Sequence, residues 1–208
     1  MKARRYICFL LAAALSLSLC ACGGSNQPKP ELTVESYTEL QTIQKLPPVY
    51  VPGGNWTEAD IPGALWVGAS RFSFPATFTT LGNKFSIDPS AATSSITEDG
   101  EITAVLLYDG CACGDISLTD CTKLENYSVG KIRQIIFRDC YTKELPSPAL
   151  FPICFNGITI GSTAEQVKEN LGIELGNSGA EIRTAHHTIR FTGSPAEGVT
   201  KIILISGA

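Results

Sequence analysis

Charged and aromatic residues are both scarce in this chain of 208 residues. Asp, Glu, Lys and Arg make up 17% of it and Phe, Trp and Tyr 8%. The charged share lies below the roughly 25% of an average soluble protein. The 44% of hydrophobic residues nevertheless exclude a disordered chain, which cannot bury enough apolar surface to offset its conformational entropy. Basic residues are the minority, 16 against 20 acidic, with a formal charge of −4 and a pI near 5.2. Nucleic acid is therefore not an expected partner, because phosphate binding needs a basic footprint. Only two histidines are present. No G-x-S-x-G, H-E-x-x-H or P-loop pattern occurs, so nothing points to those hydrolytic or phosphate-binding chemistries. No second long apolar run follows the first thirty residues, so no later segment reads as a membrane helix.

Those thirty residues carry the clearest signal. Lys2, Arg4 and Arg5 precede a 14-residue apolar run, Tyr6 to Leu19. A membrane span needs about 20 such residues, whereas a secretory h-region is this short. The run ends in Leu19-Cys20-Ala21-Cys22-Gly23-Gly24. This resembles the bacterial lipobox, in which Leu and a small residue sit three and one positions before the lipidated Cys. Cys22 fits with Leu19 and Ala21; Cys20 would put Leu19 in the small slot. The resemblance implies a signal peptide at 1–21, acyl chains on Cys22 including palmitate, and a cell-membrane anchor on the extracytoplasmic face. Cleavage would remove Lys2, Arg4 and Arg5 and no acid, taking the formal charge from −4 to −7. Anionic headgroups repel such a body, so it is expected to stand off the bilayer.

Gly23 to Pro30 is small, polar and proline-bearing, and Leu46 to Gly54 is an extended proline segment. Residues 22–60 are therefore expected to be a flexible tether, with at most a short helix over Glu31 to Lys45.

The remainder reads as α+β, with short helices on antiparallel sheet. The clearest stretch is C-terminal. Ser162 to Glu165 has capping-box spacing. Ala164, Val167 and Leu171 form one helical stripe, and Gly172 is a natural stop. Three strands follow, at Ala180–Thr184, His187–Thr192 and Val199–Ser206. In the second, His187, Ile189 and Phe191 alternate with Thr188, Arg190 and Thr192. An earlier segment runs in the same order. Arg71–Phe74 is an approach strand and Thr77–Lys84 a helix damaged by Gly82. Ile102–Tyr108 and Lys131–Arg138 are strands, with a further one at Ser117–Cys121. The expected layout is one α+β unit over 61–140 and a second over 141–208, with a single irregular domain as the alternative.

The phrase Gly157-Ile-Thr-Ile-Gly-Ser-Thr-Ala-Glu-Gln-Val-Lys-Glu-Asn-Leu-Gly172 resembles a segment of small secreted lipoproteins. It is similar to that of the β-lactamase-inhibitor-protein-like and outer-membrane-assembly lipoprotein folds. The resemblance implies a short helix packed on a small antiparallel sheet, twice in tandem in the inhibitor-like fold, and binding to other proteins. No contact residues carry over, and fold alone does not transfer function.

The candidate chemistry lies in cysteine. Beyond the leader and Cys22 remain Cys111, Cys113, Cys121, Cys140 and Cys154, an odd number. After export they could form disulfides. The turn-forming pairs Asp109-Gly110 and Gly114-Asp115 would bring Cys121 back toward Cys111 and Cys113, and Cys140 could bridge to Cys154. A thiol redox or metal-binding role for Cys111, Cys113 and Cys121 is the alternative, although the spacing is poor for zinc. His186 and His187 read as a surface or hairpin feature, because neighbours on a strand face opposite ways. Glu98, Asp99 and Glu101 read as a solvated turn. Trp56, Trp66, Phe72, Phe74 and Phe78 read as core plugging the end of a small sheet. No cofactor, resident metal or catalytic set is indicated. The expected function is a membrane-anchored, non-catalytic binding lipoprotein for a protein or cell-envelope partner.

Overall fold

The computed structural model describes residues 32–91, 95–139 and 151–207. The expected signal peptide at 1–21, Cys22 and Cys140 lie outside them.

Strand propensity and alternation give the longest elements. β5 (Ile102–Tyr108), β6 (Cys111–Thr119) and β7 (Lys131–Arg138) form a meander. β9 (Ala180–Arg183), β10 (His187–Ser194) and β11 (Gly198–Ser206) form another. β7 and β11 pair antiparallel from Lys201↔Arg138 to Ile205↔Gln134. The result is one sheet in the order β3-β5-β6-β7-β11-β10-β9, where β3 is Phe85–Asp88 and the short β4, Ser95–Ile96, also joins β5. Inside the edge strands β3 and β4, the order is the same read inward from either side, β5, β6, β7 against β9, β10, β11. The fold is α+β.

A second, three-stranded sheet repeats this relation. β1 (Leu65–Val67) pairs antiparallel with β8 (Ile153–Phe155) about Trp66↔Cys154, and β2 (Ser70–Arg71) lies outside β1. Each half then enters a short helix through a threonine. The Thr77 N–H donates to the Thr80 hydroxyl at the 3-10 turn Phe78–Leu81. The Thr163 N–H donates to Gln166 Oε1, and the Gln166 N–H to Thr163 Oγ1, at α3 (Ala164–Leu171). The cap is therefore Thr163 and not Ser162. The Ser162 hydroxyl accepts the Thr159 N–H instead, closing the tight turn before the helix. Gly172 stops α3 in the left-handed region, as its position suggests. The first-half helix is only one 3-10 turn, because Gly82 ends it.

One continuous core lies between the large sheet and the elements packed on one of its faces. It draws on Ile135, Phe137, Ile202 and Leu204 from the central strands, Leu65 and Phe155 from the small sheet, and Val167 from α3. The expected tether to residue 60 is corrected over its described part. Val34–Gln44 is a helix, α1, capped by Thr33, which accepts the Ser36 N–H, and a one-turn helix, α2, follows at Ile61–Ala64. α1 is docked: Leu40 is only 2% exposed and belongs to the core, and Lys84 holds Glu39 at 2.6 Å. Trp56 then packs at a tilt against Phe155, ring centres 4.8 Å apart, and donates its indole N–H to the Leu171 carbonyl at 2.9 Å. That carbonyl is one of those a helix C-terminus leaves unpaired. Leu40→Ala is expected to cost about 2–4 kcal/mol through the cavity it leaves, read as a lower urea midpoint. An unchanged midpoint would mean that α1 is not part of the folded body.

Candidate functional site

The large sheet has two unlike faces. Inward residues are buried on every long strand, and outward residues are half-buried or exposed. One outward row crosses seven strands: Asp88, Val105, Asp115, Ile136, Ile203, Arg190 and Glu181. A parallel row carries Gln134, Ile205, Thr188 and Arg183. Ile136, Ile203 and Ile205 thus form an apolar centre, with Arg138 and Lys201 beside it.

Two bulges set which side chains reach this face. Leu107 pairs with Ala112 and Leu106 with Gly114, so Cys113 is an extra residue. Strict alternation from Cys111 would bury Asp115; the extra residue turns Asp115 outward, where its Oδ2 meets Arg138 Nη2 at 2.6 Å. Gly114 is required here, because a Cβ would stand 2.2 Å from the Ile136 carbonyl oxygen. The second bulge, between Ser117 and Leu118, makes Arg133 the extra residue on β7. Arg133 pairs with Glu101 at 2.9 Å. Arg190 and Arg183 share Glu181 at 2.7 and 2.8 Å, and Lys131 pairs with Asp120 at 2.7 Å. Apart from the one at the half-buried Asp115, these pairs are exposed and each stabilises by only about 0–1 kcal/mol.

Cys111 and Cys113 stay near each other on β6, but Cys121 and Cys154 do not join them. Asp109-Gly110 does turn the chain, with both residues at positive φ. Gly114-Asp115 does not, and lies inside β6. At about 3.3 Å per residue, β6 carries Cys121 on the order of 25 Å beyond Cys113, so the expected Cys111–Cys113–Cys121 cluster is not formed. Cys154 is in the other sheet, opposite Trp66. No disulfide joins any of the four described cysteines. Burial pushes the Cys113 thiol well up, with Cys111 and Asp115 adding to it. Burial also raises Cys121, and it takes Cys154 to about 11. Thiols held neutral in this way are poor nucleophiles and poor ligands. Among the described residues, no three His, Cys, Asp or Glu side chains gather as a metal site.

No protein-family model, curated protein or solved structure matches this chain. The reading of the site therefore rests on its geometry.

His187 is the residue whose environment was misjudged. It is 1% exposed, whereas His186 is exposed. The Phe74 N–H donates to His187 Nε2 at 2.8 Å, so the proton sits on Nδ1, 2.7 Å from Glu58 Oε1. Glu58 also accepts the Thr184 hydroxyl at 2.6 Å and the His186 N–H at 3.0 Å. The alternation of β10 already placed His187 beside Ile189 and Phe191 on the buried face. With Nε2 engaged by backbone, the His187 ring has no lone pair to offer a substrate, and with Glu58 it forms a structural clamp between three segments.

The clamp has a pH signature. Burial lowers the His187 pKa from 6.5, although Glu58 pulls the other way. Partial burial pushes Glu58 up, but the bonds from Thr184 and His186 and the nearby His187 outweigh it and hold the carboxyl below its usual range. As pH falls below 6.5, the unfolded chain takes up a proton that the folded ring resists, so stability declines with acid. The wild-type urea midpoint is expected to fall between about pH 7 and 5.5. His187→Gln, which can still accept the Phe74 N–H, should flatten that slope. Equal slopes in the two proteins would remove His187 as the cause.

Proposed function

We propose that this chain is a membrane-anchored, non-catalytic extracytoplasmic binding lipoprotein, and that its open sheet face receives a protein partner with an acidic surface. The observation that carries this reading is the composition of that face. β6, β7 and β9 to β11 hold six basic residues, Lys131, Arg133, Arg138, Arg183, Arg190 and Lys201, against two acids of their own, Asp115 and Glu181; Glu101 and Asp120 reach Arg133 and Lys131 from adjoining turns, and Asp88 lies at the far edge on β3. The chain as a whole is acidic, so positive charge is concentrated where the isoleucines lie. An apolar centre ringed by arginine is the makeup of a protein interface core, and complementary charge steers the encounter. The lipobox-like segment ending at Cys22 supports the anchor. The sequence of Gly157 to Gly172 resembles a segment of folds that mostly bind proteins. The described thiols are buried, and Cys121 and Cys154 stand apart from Cys111 and Cys113, so the redox or metal alternative has no assembled centre to support it.

The test is site-specific photo-cross-linking in the producing cells. A photoreactive residue at Ile203 should capture a discrete protein adduct, while one at Glu165, exposed on α3, should not. Arg190→Glu should weaken capture at Ile203. Adducts from Glu165 alone, or none from Ile203, would sink the binding-face assignment. The anchor is checked separately: Cys22→Ala should abolish palmitate labelling and release the chain from membranes, and labelling that persists contradicts it.

A further inference from the structure

On the other side of the molecule, a cavity of about 230 Å³ opens between α1, the proline segment after it and the small sheet. Ile43 and Leu46 form one wall, Ala64 and Trp66 another, and Cys154 the floor. No acidic residue lines it. Its single charged group is Arg71, exposed on the outer strand β2, with its guanidinium carbon 5.4 Å from the centre of the Trp66 ring. Among the described residues, no carboxylate lies within ion-pair distance of Arg71. A stacked guanidinium keeps its planar edge of N–H donors free for a bidentate acceptor.

The geometry points to a binding site for a carboxylate that carries one apolar group, with the group in the cavity and the carboxylate on Arg71. Size fits the assignment: a dry apolar cavity of about 150 Å³ holds benzene, so 230 Å³ takes a phenyl or branched alkyl group with a short spacer. The walls are prepared for it. Asn156 Oδ1 accepts the Val49 N–H at 2.6 Å, and its Nδ2 donates to the Val49 carbonyl at 3.0 Å and to the Asn170 carbonyl at 2.7 Å. The backbone beside the cavity is thus pinned before a ligand arrives, which lowers the ordering cost of binding. Leu46 and Val49 stay 39% and 37% exposed, and a ligand would cover them. The Cys154 thiol, held neutral at the floor, adds no charge to repel the carboxylate. The site lies outside the open face of the large sheet and does not depend on the protein-binding reading.

The experiment titrates the purified full-length chain with 3-phenylpropionate and, separately, with its uncharged amide. The readout is the indole N–H resonance of Trp66, one of two tryptophans. The acid should shift it saturably and the amide should bind about tenfold more weakly or worse, the worth of a charge-assisted hydrogen bond. Arg71→Gln should reduce the acid to the amide's level. Gly63→Leu provides a second variant. A Cβ at Gly63 meets only Val49 Cγ2, at 3.8 Å, so the side chain grows into the cavity and should abolish binding of both probes. N-acetylphenylalanine distinguishes the sources: tighter binding than 3-phenylpropionate identifies a peptide C-terminus, weaker binding a free acid. No saturable shift, equal affinity for acid and amide, or an Arg71→Gln protein that binds as well as wild type would overturn the assignment.

Discussion

The pairing of β7 with β11 is the interaction on which the remaining structure depends. It joins two meanders that are distant in sequence into one sheet, and it puts Ile135, Phe137, Ile202 and Leu204 at the centre of the core with no exposed surface. Burying side chains of this size stabilises by about 1.5–3 kcal/mol each. The β1–β8 pair repeats the join in the layer below, about Trp66↔Cys154. Neither half has a complete core without the other, because Phe155 and Val167 of the second half and Leu65 and Ile87 of the first belong to one cluster.

A sheet closed on one face and open on the other follows from that join. Among the described residues, the elements that cover it lie on the side of Phe137 and Leu204. Ile136 and Ile203, one residue along each strand, are left facing out together. Bulges then adjust the outward set: one extra residue at Cys113 exchanges a buried aspartate for an outward one that can hold Arg138. The chemistry of the open face is thus a matter of strand parity, and a one-residue change of register would bury its charges.

Much of this was legible in the sequence because the signals are local. β5 and β7 run over the residues expected of them, since Ile102–Tyr108 and Lys131–Arg138 combine alternation with β-branched residues. The helix at Ala164–Leu171 follows from its stripe and its glycine stop. Where expectation failed, the deciding contact was remote. Gly114-Asp115 resembles a turn, but Gly114 is needed for the close approach of Ile136 across the sheet. That misreading lengthened the supposed loop and created the cysteine cluster. The helix before residue 45 has only Leu40 and Ile43 as buried apolar residues, too few to announce docking. Ser162 and Thr163 both suit a cap, and the choice turns on which hydroxyl the preceding turn consumes. The Arg71–Trp66 cavity needed β1, β2 and β8 side by side, a pairing that no local pattern encodes.

Hydrogen exchange of the native protein in increasing denaturant tests the central join most directly. If the β7–β11 pair fuses the halves, the amides of Ile135 and Phe137 and those of Ile189 and Phe191 should reach the same opening free energy as global unfolding. Exchange of β9 to β11 at a clearly lower free energy, while β5 to β7 stay protected, would contradict a shared core.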